Sequence, residues 1–405
     1  MARIHWLLVA AALIVPAAAS ANTVTDWDEM AVGWVQPRMA PPFGYRVMAM
    51  MHIAMFEAVN SVEHRYAPYR AALPAAPEVS KEAAAASAAG EVLAKLVPEA
   101  AGEIGKSLDA YLASIPEGTS KSEGIRLGAD SAAAILALRA DDGSSAADAY
   151  RPKTRPGQYV PTAITVGSMF PNVTPFAMTK PSQFRPKPPV ALKSAEWARD
   201  YNEIKALGAK ASAQRTAKQT EDARFWVLTG PLSTHPLIRQ IAIAKSLSLI
   251  DSARLMTLAS IAEADAMVAV MDAKYKYEFW RPITAIRNGD ISGNPSTERD
   301  ATWQPIDSTP LHPEYPCAHC IVSSSVASAL KAVLGSSAIP EVSMTSPMAP
   351  GVVHRWTDLD AYAAEVAEAR IFAGFHYRFS TVVGREMGRK LGAYVVRTVL
   401  LPAQS

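Results

Sequence analysis

The amino-acid sequence predicts an all-α protein built from helical bundles, and three observations carry this prediction. Apolar residues recur at helical spacing along most of the 405-residue chain. Proline and glycine stand between these segments, where they terminate helices. No stretch alternates apolar and polar residues over a convincing length, so no strand is predicted. We expect two packed bundles in one continuous unit.

The individual helices follow from this periodicity in chain order. Residues 46–62 are apolar nearly all round, which predicts a buried helix. Alanine-rich segments separated by prolines and a glycine predict antiparallel helices with short connections. The predicted helices after the first are 80–96, 99–113, 120–139, 194–206, 218–228, 235–274, two that start near His319 and Asp358, and 381–398.

Two long segments lack helical periodicity. Residues 150–190 are rich in proline, and residues 288–315 precede the helix that starts near His319. Loops of this length are uncommon and often wall an active site. We therefore predict an N-terminal bundle with its proline-rich connecting segment over 22–190. A second bundle, over 191–405, is predicted to carry the active site.

The charge balance restricts the possible partners. The chain has 40 basic and 38 acidic side chains, and 49% of its residues are hydrophobic. A nucleic-acid-binding or polybasic membrane surface would show an excess of lysine and arginine, so neither is expected. Any electropositive site must therefore be local.

The first 21 residues have the organisation of a secretory signal peptide. Arg3 gives a short positive start, residues 7–15 are apolar, and residues 19–21 (Ala-Ser-Ala) form a small-x-small cleavage site. The apolar run is shorter than the roughly 20 residues that span a bilayer. We expect a Sec-type signal and a secreted or periplasmic protein with no membrane segment after cleavage. The alternative is an uncleaved anchor.

The first motif that could form part of an active site is Lys274-x6-Arg281-Pro282. On one continuous helix, the two cations would lie within about 20° of one face and about 10 Å apart, so their side chains could converge. Pro282 then disturbs the helix. Two solvated charges on a helix are the simpler interpretation of this motif alone.

The second motif is the turn Pro316-Cys317-Ala318-His319, which precedes an apolar helical run. Small residues just before a helix leave backbone N–H groups free to bind an anion, and the helix dipole favours negative charge there. His319 is placed to donate or accept a proton. A proline turn with a structural histidine is the alternative.

The third motif places Arg370 six residues before His376. An ideal helix would separate them by about 120°, but Gly374 allows a local distortion, or the long arginine reaches across. Taken together, the three motifs supply two arginines, a lysine, a small-residue turn and two histidines. This set matches the charge of a tetrahedral dianion or trianion.

The order and spacing of these motifs resemble the vanadium-dependent haloperoxidase and type 2 phosphatidic acid phosphatase (PAP2) superfamily, in its bacterial haloperoxidase-like branch. That superfamily has the pattern K-x6-R-P, then P-S-G-H, then S-R-x5-H-x3-D. The resemblance covers most of residues 40–398 and implies a helical-bundle fold. The residues that fit the pattern are Lys274, Arg281, Pro282, Pro316, His319, Arg370 and His376.

The resemblance implies a role for each matching position. The lysine and both arginines would bind the oxyanion oxygens. His376 would bond to vanadium, or act as the nucleophile on phosphorus in a phosphatase. His319 would be the acid–base residue. Cys317 and the backbone N–H of Ala318 would donate hydrogen bonds to the oxyanion.

Four positions depart from the pattern. Cys317 replaces a serine and is a weaker donor. Ala318 replaces a glycine and has less backbone freedom, and Ala369 replaces the serine before the arginine. Ser380 stands where an aspartate would orient the histidine, and a hydroxyl cannot stabilise a cationic imidazole as a carboxylate does. This loss weakens the phosphatase interpretation more.

The resemblance predicts an enzyme that uses vanadate and hydrogen peroxide to oxidise a halide. In the family, bromide-oxidising members have a histidine at the position of His312, whereas a chloride-oxidising member has an aromatic residue. This favours bromide, unless His312 is merely structural. Phosphate is an alternative occupant of the same site, in a secreted acid phosphatase acting on phosphomonoesters through His376 and His319. A catalytically silent oxyanion-binding protein is the third interpretation.

Cys317 and Cys320 are the only cysteines of the chain, spaced C-x-x-C. Ile321 follows the second cysteine where a c-type haem site needs histidine, so haem is excluded. In an oxidising compartment the pair could close a disulfide. The alternative is two small buried residues that happen to be cysteine.

Overall fold

The computed structural model describes residues 21–70 and 73–403, and its architecture is helical, as predicted. The predicted signal peptide lies almost entirely outside these residues. One two-stranded hairpin accompanies thirteen α-helices in the described part of the chain. The elements are α1 (Thr23–Val35), α2 (Pro41–Glu63), α3 (Lys81–Leu96), α4 (Ala101–Ala113), α5 (Thr119–Leu138), α6 (Ala195–Leu207), α7 (Ala217–Phe225), α8 (His235–Ala244), α9 (Leu249–Tyr277), α10 (Pro282–Arg287), α11 (Ala318–Leu334), β1 (Ala338–Ser346), β2 (Ala349–Asp358), α12 (Leu359–Phe372) and α13 (Arg378–Thr398).

The central elements are α2 and α9, which lie at the middle of the main hydrophobic core. The prediction of a buried helix over 46–62 is confirmed, because nearly all of α2 is buried. In α9, residues 255–274 are buried without interruption. Within residues 21–70 and 73–403, no helix is both long and apolar enough to cross a bilayer.

Two helix predictions need correction. The helix predicted over 235–274 is two helices, because Ser246 has a positive φ of 49° and Ser248 caps the start of α9. The sequence interpretation also missed α1, which begins after Asn22. Asn22 and Thr25 form a reciprocal capping box there.

The prediction that the chain contains no strand is wrong for residues 338–358, where β1 and β2 pair antiparallel. The register shifts between Ala338 and Val342 and again between Thr345 and Ser346. Each shift breaks the alternation of apolar and polar residues that identifies a strand in sequence. The hairpin therefore lacks the periodic pattern on which the prediction rested.

The proline-rich segment is anchored to α9 by buried acids. Asp265 accepts hydrogen bonds from three consecutive backbone N–H groups, those of residues 176–178, at 2.6–2.8 Å. Asp272, two residues before Lys274, accepts hydrogen bonds from Nη2 and Nε of Arg185 at 2.6 and 2.7 Å. These contacts hold an irregular segment against the core without secondary structure of its own.

A buried ionic network joins four helices of the main core. Asp28 of α1 accepts hydrogen bonds from His52 of α2 (3.0 Å) and His235 of α8 (2.5 Å). The other nitrogen of His235 donates to Glu263 of α9 at 3.1 Å, and Arg239 donates to Asp28 at 2.8 Å. Two carboxylates, an imidazolium and a guanidinium make this set electrically neutral without a further ion.

The two carboxylates decide the protonation of His235. Burial alone would lower its pKa, but Asp28 and Glu263 outweigh burial and raise the pKa to about 10. Burial would raise the pKa of Asp28, but His235 and His52 hold it well below its usual value. His235 is therefore an imidazolium at neutral pH.

We predict that Asp28→Asn lowers the free energy of unfolding at neutral pH by about 3–5 kcal/mol, because it leaves a buried cation without its partner. Denaturant unfolding measures this loss. The neighbouring Glu29→Gln, whose side chain is 72% exposed, is the control and should change stability by less than about 1 kcal/mol.

The pH dependence has a defined sign. An unfolded histidine has a pKa of about 6.5, so the stabilisation from His235 is complete below that pH and is lost as pH rises towards 10. The difference between the wild type and Asp28→Asn should therefore shrink from about pH 6.5 to pH 10. A constant difference would contradict a charged His235.

Three glycines bring α13 against α11. Gly384, Gly388 and Gly392 are spaced four residues apart, so they share one face. A Cβ on Gly388 would lie 2.3 Å from the carbonyl oxygen of Ile321, and one on Gly392 would lie 2.1 Å from that of Ser325. Backbone packs directly on backbone here, which fixes the distance between the helix that begins at Ala318 and the helix that follows His376.

We predict that Gly388→Ala lowers the free energy of unfolding by about 1–3 kcal/mol, because the methyl group forces the two helices apart. Gly33→Ala is the matched control. Gly33 lies within α1, and a methyl group added there would meet nothing within 4 Å among the described residues outside its own helix, so alanine should stabilise by about 0.5–1 kcal/mol. Equal stability of Gly388→Ala and the wild type in denaturant unfolding would refute close packing.

Candidate active site

A cavity of about 270 Å³ lies where the two irregular segments meet α2, α9, α11 and α12. Val166 of the proline-rich segment and residues 308 and 310–312 of the second segment form part of its wall. Five of the residues predicted from the motifs line this cavity. They are His312, Ala318, His319, Arg370 and His376.

The two cations of the first motif are positioned near the cavity by a different local structure from the one predicted. Lys274 and Arg281 do not share one helix, because α9 ends at Tyr277 and Glu278 turns the chain with a positive φ of 49°. Arg281 instead caps the short helix α10. The argument from two turns of one helix face is therefore wrong, although both cations lie buried beside the cavity.

Each cation of this motif is held by backbone carbonyls. Lys274 Nζ donates to the carbonyl oxygens of Pro313 (2.8 Å) and Glu314 (2.7 Å). Arg281 Nε donates to the His312 carbonyl at 2.8 Å, and its Nη1 donates to the Phe375 carbonyl at 3.1 Å. Arg281 therefore ties the segment before Pro316 to the turn before His376.

Gly374 makes the turn that brings Arg370 and His376 together, which is one of the two arrangements that the sequence left open. The helix α12 ends at Phe372, and Gly374 has a φ of 80°. The N–H groups of Phe375 and His376 both donate to the carbonyl oxygen of Arg370, at 3.1 and 3.3 Å. A Cβ on Gly374 would lie 2.5 Å from the carbonyl oxygen of Gly208, so only glycine fits.

The Arg370 guanidinium is only partly satisfied. Its Nη1 donates to the carbonyl oxygen of Trp226. Its buried Nε has no hydrogen-bond partner among the described residues. An unpaired buried donor is unfavourable unless a ligand completes it.

Glu314 is the functional residue that the sequence interpretation missed. Its Oε1 accepts a hydrogen bond from His376 Nδ1 at 2.8 Å and one from the Tyr377 N–H at 3.2 Å. His376 Nδ1 therefore carries the hydrogen, and Nε2 keeps the lone pair, 3.4 Å from Arg281 Nη1. The available signal was that Glu314 is the only acid in residues 308–340.

Ser380 does not take the place of the missing aspartate. Its buried hydroxyl has no hydrogen-bond partner within the described part of the chain. The carboxylate that orients His376 comes from Glu314, before the second motif, and not from the position four residues after the histidine.

Of the two alternatives for Cys317 and Cys320, the disulfide is the one present, in the first turn of α11. Cys317 caps this helix, and its sulfur accepts the N–H of Cys320 at 3.2 Å. A disulfide sulfur has no hydrogen to donate, so Cys317 in this state lacks the donor role suggested for its thiol. Ala318 begins α11, where the first N–H groups have no intrahelical acceptor.

The three histidines of the cavity are neutral. Removal from water lowers the pKa of each well below its usual value, and nearby cations lower it further: Arg370 for His319, Lys274 for His312 and Arg281 for His376. His319 Nε2 donates to the Leu228 carbonyl at 3.0 Å, which leaves Nδ1 as the basic nitrogen. Arg281 Nη2 donates to His312 Nδ1 at 2.9 Å.

The cations outnumber the acids. Burial lowers the pKa of Lys274 strongly, that of Arg281 to about 10 and that of Arg370 to about 9. Burial also raises the pKa of Glu314 to about 7, against the opposing effect of Lys274 and Arg281. When all four groups are ionised, three positive charges face one negative charge, and a bound dianion would neutralise the site. The donor set thus fits a tetrahedral oxyanion such as vanadate or phosphate.

Comparison with known proteins finds similarity to vanadium haloperoxidases. Residues 254–404 match the family described as the VCPO second helical-bundle domain. The vanadium chloroperoxidase of Curvularia inaequalis is 24% identical over 72% of this chain and 61% of its own length. The chain thus spans about three fifths of the length of that curated relative.

Two crystal structures share the fold over nearly the whole chain. A bacterial vanadium-dependent iodoperoxidase has a TM-score of 0.78 and 23% identity, covering 94% of this chain and 97% of its own. An apo bacterial vanadium-dependent chloroperoxidase has a TM-score of 0.72 and 14% identity, covering 88% and 93%. The resemblance stated from the motifs is thereby confirmed: the chain has the vanadium haloperoxidase fold, and its residues 254–404 match the VCPO second helical-bundle domain.

Proposed function

We propose that this protein is a vanadate-dependent haloperoxidase that oxidises a halide with hydrogen peroxide. The observation that carries the proposal is the uncompensated positive charge of the buried cage formed by Lys274, Arg281 and Arg370. A buried excess of cations is unfavourable unless an anion occupies the site. The family and fold of the chain support vanadate as that anion.

The protein groups at the cage would have separate roles in holding vanadate. The Nε of Arg370, which lacks a partner in the described ranges, and the first N–H groups of α11 would bind oxyanion oxygens. His376 Nε2, with its lone pair fixed by the Glu314 hydrogen bond, would be the ligand of vanadium. Vanadate, when bound, would supply a Lewis acid that activates hydrogen peroxide.

His319 is the group placed to move protons. Its Nε2–H is engaged by the Leu228 carbonyl, so Nδ1 would accept a proton from the incoming peroxide and return it later. Burial and the nearby Arg370 lower the pKa of His319, so this nitrogen is unprotonated at the cavity, and a bound oxyanion would offset the effect of Arg370.

The choice of halide rests on His312. This histidine lines the cavity and accepts a hydrogen bond from Arg281, so its remaining ring nitrogen carries the N–H in the neutral form. We propose bromide as the preferred halide. The relatives named above include chloroperoxidases and an iodoperoxidase, so the fold itself does not fix the halide.

A secreted acid phosphatase is the second candidate, and the Glu314–His376 pair is the observation that favours it. A phosphatase of this type needs an oriented histidine nucleophile, and Glu314 supplies the carboxylate that Ser380 cannot. The same cage would then bind the phosphoryl group of a phosphomonoester. The convergence of His319, His376 and Arg370 on one cavity argues against a catalytically silent protein.

The function is tested by measuring bound vanadium and the bromination of a phenol-type dye on the same sample, supplied with vanadate, peroxide and bromide. We expect turnover in the wild type and a loss of at least about 100-fold in His376→Ala, which lacks the vanadium ligand. His64→Asn is the control, because His64 is exposed at the left-handed end of α2, where asparagine is tolerated. Phosphate release from a monoester without bromination would support the phosphatase instead.

The role of Glu314 is tested by comparing Glu314→Ala with Glu314→Gln. Alanine removes the acceptor of His376 Nδ1–H and should weaken vanadate binding about 10–100-fold, whereas glutamine keeps an acceptor oxygen and should restore part of the affinity. Ser324→Ala is the matched control and should bind vanadate as the wild type does, because it removes a buried hydroxyl that has no partner among the described residues and does not line the cavity. If alanine and glutamine bind vanadate equally, Glu314 does not position His376.

A further inference from the structure

Two methionines of α9 stand in the wall of the cavity beside the cage. Glu263, Met267, Met271 and Lys274 are spaced by four, four and three residues, so they form one stripe along the helix. Lys274 belongs to the cage. The helical rise places Met271 about 4.5 Å and Met267 about 10 Å along the axis from it. Both methionines line the same cavity as His319 and His376.

We propose that Met267 and Met271 are modification sites, oxidised to sulfoxides by the hypohalous acid formed at the cage. This inference rests on the proposed haloperoxidase function. A thioether is a soft nucleophile that reacts readily with such oxidants. The oxidant would form in the cavity that these two sulfurs line, so they meet it before it reaches bulk solvent.

The reaction balances without any further reagent. Hypobromous acid transfers its oxygen to the methionine sulfur, which loses two electrons and becomes a sulfoxide. Bromine gains the two electrons and leaves as bromide, and the hydrogen of the acid leaves as a proton. Each event therefore consumes one hypobromous acid and returns the halide.

The modification changes the character of the cavity. Most of the cavity wall is apolar, with side chains such as Val322 and Val366 among a smaller number of hydroxyl groups such as that of Ser323. A sulfoxide places a strong hydrogen-bond acceptor in this wall. Methionine sulfoxide is also reversible by dedicated reductases, so the change can be undone.

Other methionines of the chain provide internal references. Met348 is 43% exposed and reports on oxidant in bulk solvent. Met256 lies on the same helix as the two cavity methionines, is fully buried, and does not line the cavity. The order in which these four methionines are oxidised therefore reports where the oxidant is formed.

The experiment is peptide mass spectrometry of the protein after a limited number of turnovers with vanadate, peroxide and bromide, alongside the dye assay. We expect sulfoxide at Met267 and Met271 about tenfold ahead of Met348, because generation within the cavity gives these sulfurs a high effective concentration of oxidant. Met256 should stay unmodified. With hypobromite added to the resting protein, Met348 should react first.

Three outcomes would overturn the inference. Dye bromination with Met267 and Met271 intact would leave the proposed function standing and remove the modification sites. Sulfoxides at these positions with peroxide alone, without bromide, would show that the halide product is not the oxidant. No dye bromination, with all four methionines unmodified, would overturn the proposed function and this inference with it.

Discussion

The burial of three cations at one point is the constraint on which the rest of the site depends. Cations removed from water need hydrogen-bond acceptors, and here backbone carbonyls supply most of them. Lys274 donates hydrogen bonds to two carbonyl groups before Pro316. Arg281 donates to one carbonyl group of that segment and to one in the turn before His376. The cations therefore shape the irregular segments that surround them. A site for an anion and the conformation of its loops come from the same interactions.

The loops supply the hydrogen-bond acceptors of the buried cations, and the helices hold the site rigid. The glycine face of α13 brings its backbone against α11, so the helix that begins at Ala318 and the helix that follows His376 form one unit. The disulfide in the first turn of α11 adds a covalent link at the end of the helix that faces the cavity. Gly374 completes the arrangement, because its left-handed turn directs His376 back towards Arg370.

The sequence predicted the fold class, most helices and the residues that meet at the cavity, because these depend on local periodicity and on fixed motif spacing. It failed where geometry depends on tertiary contacts. The same-face argument for Lys274 and Arg281 assumed a continuous helix, but Glu278 ends it. Glu314 occupies no motif position, so its bond to His376 becomes visible only when the turn before Pro316 folds onto the third motif. The hairpin was missed because register shifts remove the alternation that marks a strand.

The position of α9 has a consequence for how this chain can vary in length. Its one face carries Glu263, which belongs to the buried network with His235, and Lys274, which belongs to the cage. Eleven residues and about 16 Å of helix separate them. A single inserted or deleted residue between them would rotate one end by about 100° against the other. Insertions and deletions should therefore be confined to the loops outside this interval. The spacing of eleven residues between the acid and the lysine can then be used to align the sequences of distant relatives.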